Sequence, residues 1–443
     1  MSPETVRHYA DCLSRGEITA EELASFYRDR IEKNNDRIRA FVDVPPALAA
    51  PRVPPRLPGT NPLAGIPIAI KANRDALGLR IDHGSRVLRD RRPEADHHFV
   101  ALIRGSGAFI VGSTVCSEFS LLPSCEPASK GPVLNPTNPA HGTGGSSGGA
   151  AAAVASMMVP IAHGNDAGGS LRIPAAVCNL ISAVVFDSGS GAGEGFIATT
   201  VDDVVLACRG LGLLAPPPGK PPQAITRTAA VIDIAPDGTR ASVAQRVDLD
   251  RAAGALSGWH VEETAPLREH PYLRHRFASQ APPVAQRIRS LIHQLPTRDG
   301  NTQPAFDAQI ENYTRNFLAN AERIPYADHL AALRFRSDWQ SRYNHHYQDY
   351  SVLISPIGTP PAPGVMTGDH SLQELSSLTA SLIAFTWPAN TVRWPSISVG
   401  NIQFTARPEH CAELVAAAQC YEAARPQDAA KSWLPNTNHP DQR

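Results

Sequence analysis

The chain has 443 residues, of which 42% are hydrophobic, and its 41 lysines and arginines against 42 aspartates and glutamates leave a formal net charge of −1. That content suffices for a sizeable core, and the balanced charge gives no basic stripe for nucleic acid or an anionic membrane. No apolar run approaches the ~20 residues that span a bilayer, and the opening MSPETVRHYADCLSRGE lacks an apolar signal core, so the expected place is the cytoplasm, with no membrane and no nucleic-acid partner.

Residues 3–37 carry helical periodicity with capping residues at Ser2 and Thr19, which predicts an N-terminal helical arm over 1–44. A proline-rich linker follows over 45–62, stiff enough to strap that arm around a core over 63–430. Within the core the pattern predicts strands near 66–70, 108–113, 159–163 and 181–185, alternating with helices near 95–106, 149–158, 172–179 and 199–211. A strand is expected at 229–234, a helical insertion over 265–347, strands again at 351–356 and 396–400, a closing helix over 408–424 and a tail at 431–443. Short apolar strands between helices argue an α/β fold: one core with a central, mixed, mostly buried sheet covered by helices, the late strands rejoining the early ones. The seven cysteines (Cys12, Cys116, Cys125, Cys178, Cys208, Cys411, Cys420) are odd in number and scattered, so they read as reduced and mostly buried.

Three segments carry chemistry. GTGGSSGG (142–149) and DAGGSLRIPAA (166–176) set serines among glycines, and GIPIAIKAN delivers Lys71 at the end of an apolar run. Glycine lets the backbone turn sharply and lets a substrate approach main-chain N–H groups, so a serine in such a setting is a candidate nucleophile beside an oxyanion hole. Together and in this order the segments resemble the amidase signature family. The resemblance implies a Ser-Ser-Lys triad, carried over as Lys71, Ser146 on a cis peptide bond, and Ser170 as nucleophile. It is clearest over 58–178 and traceable at both ends. The chemistry is self-consistent: a buried lysine is driven toward its neutral form and can act as base, and a serine hydroxyl donates and accepts at once, bridging lysine and nucleophile.

The N–H groups of Ala167, Gly168, Gly169 and Ser170 form the expected oxyanion hole. Ser147 and an Asp166–Arg172 ion pair are its expected structural support. Trp387, Arg393 and Trp394 form a candidate substrate pocket, an arginine between two indoles able to grip a carboxylate or an aromatic group, with the competing reading that the tryptophans are core and Arg393 snorkels outward. The arginines of RHRFASQAPPVAQRIRSL (274–291) read as a solvated helix face, with carboxylate recognition as the competing role.

Several departures from the family pattern bear on the substrate walls. SAVVFDSGSGAGEGF is short and glycine-rich where the family continues with Gly-Leu-Lys-Pro, and VGNIQFTARPE runs almost directly into the last helix. Ala72 stands at a place often held by Asp, and Asn165 and Ala167 at places often held by Thr.

Other constellations point to no second chemistry. Asp96, His97 and His98, like His345 and His346, lack the spacing of a helical two-histidine metal site. His163 ends an apolar strand and reads as structural, and GTGGSSGG lacks the Lys-Ser/Thr of a phosphate-binding loop. No cofactor and no metal are expected. The expected activity is cleavage of a small-molecule carboxamide C–N bond through an acyl-Ser170 intermediate. The alternatives are an acyl-transfer or biosynthetic amide-processing enzyme of the same fold, with the amidase-like component of a glutamyl-tRNA amidotransferase ranked below these, and a catalytically inactive binding or scaffold member. Oligomeric state stays open between monomer and homodimer.

Overall fold

A computed structural model describes residues 4–45, 61–138, 141–186, 192–214, 227–267, 272–295, 308–358 and 372–425. The expected Ser2 cap, most of the proline-rich linker and the 431–443 tail lie outside these residues. Helix α1 (Val6–Arg15) is capped by Thr5, whose hydroxyl accepts from the His8 N–H, and α2 (Ala20–Ile38) by a reciprocal Thr19–Glu22 capping box. On α2 the buried Leu23, Tyr27 and Ile31 recur every fourth residue and so share one face, against which Tyr9 of α1 sets its ring edge-on to Tyr27.

The strands are β1 (Phe41–Asp43), β2 (Pro67–Lys71), β3 (Phe109–Thr114), β4 (Ile161–Asp166), β5 (Ile181–Val185), β6 (Gly193–Ala198), β7 (Thr228–Val231), β8 (His260–Glu263), β9 (Val352–Pro356), β10 (Ser396–Val399) and β11 (Ile402–Thr405). They form one mixed sheet in the order β1-β3-β2-β4-β6-β5-β10-β11-β9-β7-β8. β2 runs parallel to both β3 and β4, while β4, β6, β5, β10 and β11 pair antiparallel in succession. The β5–β10 pairing is the seam at which the late strands rejoin the early ones, as the α/β reading expects. Every residue of β2, β3 and β4 is buried, which explains why each opens on apolar residues.

Helices α3 (His98–Gly105), α4 (Gly148–Ala155), α5 (Arg172–Val177), α6 (Val201–Gly210) and α7 (Val243–Ala255) accompany these strands. Helix α8 (Tyr272–His293), with Pro282 and Pro283 inside it, packs beside the helices Asn312–Glu322 and Tyr326–His346 in the region read as a helical insertion.

Four strands are not apparent from the sequence pattern: β1, β6, β8 and β11. The glycines that make 193–198 look like a loop are there because a Cβ at Gly195 would collide with the Ala183 carbonyl of β5, so close strand approach excludes a side chain. β11 is hidden by the tight two-residue connection from β10, in which Val399 faces Ile402 and Gly400 takes φ +56°.

Candidate active site

The parallel pair β2 and β4 brings the site together, because parallel neighbours end on the same side of a sheet. β2 ends at Lys71 and β4 ends at Asn165 and Asp166. Lys71 is fully buried, and its Nζ donates to Ser146 Oγ (2.7 Å) and to Asn165 Oδ1 (2.9 Å). Burial drives the Lys71 ammonium down from its ordinary value to about 8, and the neighbouring Arg74 acts in the same direction.

Asn165 is itself held. Its Nδ2 donates to Asn73 Oδ1 (2.7 Å), and Asn73 Nδ2 donates back to Asn165 Oδ1 (3.2 Å) and to Ser120 Oγ (2.7 Å). This reciprocal amide pair fixes which end of Asn165 faces the lysine. In the sequence Asn165 stands out only as a departure from the family pattern; its contact with Lys71 needs the register of two strands.

The peptide bond between Gly145 and Ser146 is cis, and a Cβ at Gly145 would run into the backbone of Ser124. Ser146 is fully buried, whereas Ser170 is partly exposed. The Ser147 N–H donates to the Ser170 carbonyl (3.1 Å) and the Ser147 hydroxyl to the Asn165 carbonyl (3.4 Å), tying the two serine clusters together through the backbone. Among the described residues, no hydrogen bond joins the Ser146 hydroxyl directly to that of Ser170.

Asp166 organises the turn that follows. Its carboxylate accepts from the backbone N–H groups of Gly169 (2.6 Å), Leu171 (3.1 Å) and Arg172 (3.3 Å), and from Arg172 Nε (3.0 Å) and Nη2 (2.9 Å). Both charged side chains are fully buried. Burial alone would raise the Asp166 carboxyl, but the Arg172 guanidinium and these hydrogen bonds outweigh it and hold the group well below the usual carboxylate range. One expectation is corrected here: the Gly169 N–H is committed to Asp166 and does not belong to the oxyanion set. Among the described residues the N–H groups of Ala167, Gly168 and Ser170 have no protein partner. Gly169 takes φ +125°, and a Cβ there would sit 2.5 Å from Thr386 Oγ1.

Around Trp387 the structure does not form the arginine between two indoles of the pocket reading; the tryptophans pack as the competing reading has it. Trp387 and Trp394 are buried in one cluster with Trp339 and Tyr343, and the Arg393 guanidinium lies 5.6 Å from the ring centroid of Phe186 instead of between two indoles. Arg393 closes the short helix Trp387–Val392 in the left-handed conformation. The residues of this segment that reach the site are its polar ones. Thr386 Oγ1 donates to the Gly168 carbonyl (2.6 Å), and Asn390 Nδ2 donates to the Asp166 carbonyl (2.6 Å) and to Asp166 Oδ1 (3.0 Å). Arg172 donates onward to Asn390 Oδ1 (2.6 Å) and to Gln403 Oε1 of β11 (2.6 Å).

His163 is fully buried and pairs through Nε2 with Glu194 Oε2 (2.9 Å), which also holds Arg74 through its other oxygen. This pairing matches the structural role expected of His163. No disulfide joins the seven cysteines, six of which are buried.

With the geometry in place, residues 22–181 match the family model described as Amidase, a span that holds Lys71, Ser146 and Ser170. Over that span the chain matches the amidase signature family. Among curated relatives it is 38% identical over 178 residues to a glutamyl-tRNA(Gln) amidotransferase component of Salinispora tropica, covering 39% of this chain and 36% of that protein. The corresponding protein of Chloroflexus aurantiacus is 41% identical over 182 residues, covering 40% and 37%. The matched segment thus spans little more than a third of these relatives. Solved structures extend the likeness of fold over nearly the whole chain. A 6-aminohexanoate cyclic dimer hydrolase superposes with TM-score 0.81 at 22% identity, covering 97% of this chain and 98% of that one. A bacterial aryl acylamidase of the amidase signature family gives 0.76 at 19% identity, covering 96% and 97%. Among the described residues no helix is long and apolar enough to cross a membrane.

Proposed function

We propose that this chain is an amidase-type hydrolase that cleaves a carboxamide through an acyl-Ser170 intermediate, with Ser146 and Lys71 as its proton relay. The observation that carries the reading is a fully buried lysine amine 2.7 Å from a fully buried serine hydroxyl, beside a second serine that solvent can reach. Ser170 Oγ attacks the amide carbon while its proton passes to Ser146 and the Ser146 proton to neutral Lys71. The carbonyl oxygen takes up the displaced electron pair and is held by the N–H groups of Ala167, Gly168 and Ser170. Collapse of this adduct breaks the C–N bond, the proton returns through Ser146 to the leaving amine, and water releases the acyl group from Ser170 by the same relay. Labelling by a fluorophosphonate that is lost in Ser170→Ala tests the assignment, and its absence from the native chain favours an inactive scaffold instead.

A base that must be neutral gives a definite pH profile. With the Lys71 amine at about 8, kcat/KM is expected to rise as pH increases through about 8 and then to level off. A flat profile from pH 5 to 9 under rate-limiting chemistry would rule out the lysine base.

Asn165 sharpens that test. Because its Oδ1 takes one N–H of Lys71, the lone pair of the neutral amine is left for Ser146. Asn165→Asp replaces a neutral acceptor by an anion and favours the ammonium, so the rising limb is expected to move up by roughly 1–3 pH units. An unmoved limb in a folded Asn165→Asp protein would show that Asn165 does not set the proton affinity of the base.

The curated relatives support a second reading, in which the acyl-enzyme forms from an amide such as glutamine and the released ammonia serves an amidotransferase assembly. Product analysis with and without an added amine separates hydrolysis from transfer.

A further inference from the structure

Arg276 is the arginine that the fold brings to the candidate site. It projects from α8 with its guanidinium carbon 5.9 Å from the ring centroid of Trp387. Its Nη2 reaches the nucleophile turn so closely that a Cβ at Gly168 would lie 2.8 Å from it. A side chain at 168 would have to push the guanidinium aside. Arg276 also lines a small cavity with Arg336, His275, Ser279, Gln280 and Thr391, walled by α8, the helix Tyr326–His346 and the helix Trp387–Val392. Two guanidinium groups on one cavity raise the local attraction for anions, and an arginine seated on an indole face is pre-oriented for the planar, bidentate geometry of a carboxylate.

We propose that the Arg276 guanidinium, where it faces the turn at Gly168, recognises a carboxylate on the acyl side of the substrate, so that the amides this chain takes are half-amides of dicarboxylic acids or similar anionic amides. The inference rests on the acyl-Ser170 reading: an acyl group carried by Ser170 sits two residues along the turn from Gly168, against which the Arg276 guanidinium lies. Arg276 is a specificity residue in this account and takes no part in the proton relay.

The test is a pair of p-nitroanilides of near-equal shape, N-succinyl and N-butyryl, which differ in a terminal carboxylate against a methyl group. The native enzyme is expected to favour the succinyl anilide. Arg276→Gln is expected to lower kcat/KM for that anilide roughly tenfold or more while changing the butyryl value less than about threefold. Arg276→Lys keeps the charge without the fork and should retain part of the preference. Binding to Ser170→Ala, followed by calorimetry, gives a readout that needs no turnover: the succinyl anilide binds more tightly than the butyryl one, and Arg276→Gln removes the difference. Equal binding of the two anilides, or equal weakening of both by Arg276→Gln in a protein with native melting behaviour, overturns the proposal. Retained carboxylate preference in binding, with no fluorophosphonate label on Ser170, would instead uphold the anion site and overturn the acyl-enzyme reading.

Discussion

Ser170→Ala is expected to abolish amide turnover, with kcat reduced by roughly 10⁴–10⁶-fold, the range seen when one member of a catalytic unit is removed. The substitution deletes one partly exposed hydroxyl that has no hydrogen-bond partner among the described residues, and it leaves the Ser170 carbonyl bonded to the Ser147 N–H. Thermal melting should therefore stay near the native value, which separates lost chemistry from lost folding. Lys71→Ala should match it in activity, because among the described residues no second buried base stands by Ser146. Ser146→Ala should keep a trace, since water in place of the hydroxyl can pass a proton between Ser170 and the amine. Undiminished turnover in Ser170→Ala, measured on protein freed of wild-type contamination, would sink the nucleophile assignment.

Asp166→Ala is expected to be the most damaging single change to stability near the site. It removes the acceptor for three backbone N–H groups, for two Arg172 nitrogens and for Asn390, and leaves the guanidinium of a fully buried arginine without its carboxylate. Breaking a buried pair from one side typically costs about 3–5 kcal/mol. The sign of the pH dependence follows from the depressed carboxyl: the stabilisation is complete above the ordinary aspartate range and is lost only as pH falls through the lowered value, so the native chain keeps it at pH 5. Urea unfolding at pH 7 checks the magnitude, and a loss below about 1 kcal/mol would show that the turn is held by other means.

The catalytic candidates are legible in the sequence because they sit in short contiguous motifs whose residue types constrain their chemistry. Lys71 ends a buried apolar strand, Ser146 and Ser170 lie in glycine clusters, and Asp166 and Arg172 flank one turn. The braces are not legible. Thr386, Asn390 and Gln403 lie more than two hundred residues beyond the turn they hold, and nothing in TWPANTVRWP or GNIQFTARPE marks a threonine, an asparagine or a glutamine as reaching it. In the same stretch the tryptophans draw attention, since large aromatic side chains suit a pocket and a core equally well. The arginines of 274–291 stay open between a solvated face and carboxylate recognition for a related reason: helical spacing gives a face, and only packing decides whether that face meets water or a neighbouring element. The strand β6 is obscured because glycine signals a turn in isolation and close packing in a sheet.

The long reach of those braces has a bearing on how the protein is made. A ribosome that has just passed residue 380 has already delivered Lys71, Ser146 and Ser170, yet Thr386, Asn390, Gln403 and the strand that pairs with β5 are still to come. Until they emerge, the turn bearing Ser170 lacks the contacts that fix the Gly168 and Asp166 carbonyls and the outer side of Arg172. Nascent chains that stop short of residue 403 therefore carry Lys71, Ser146 and Ser170 without the contacts that hold the turn between them.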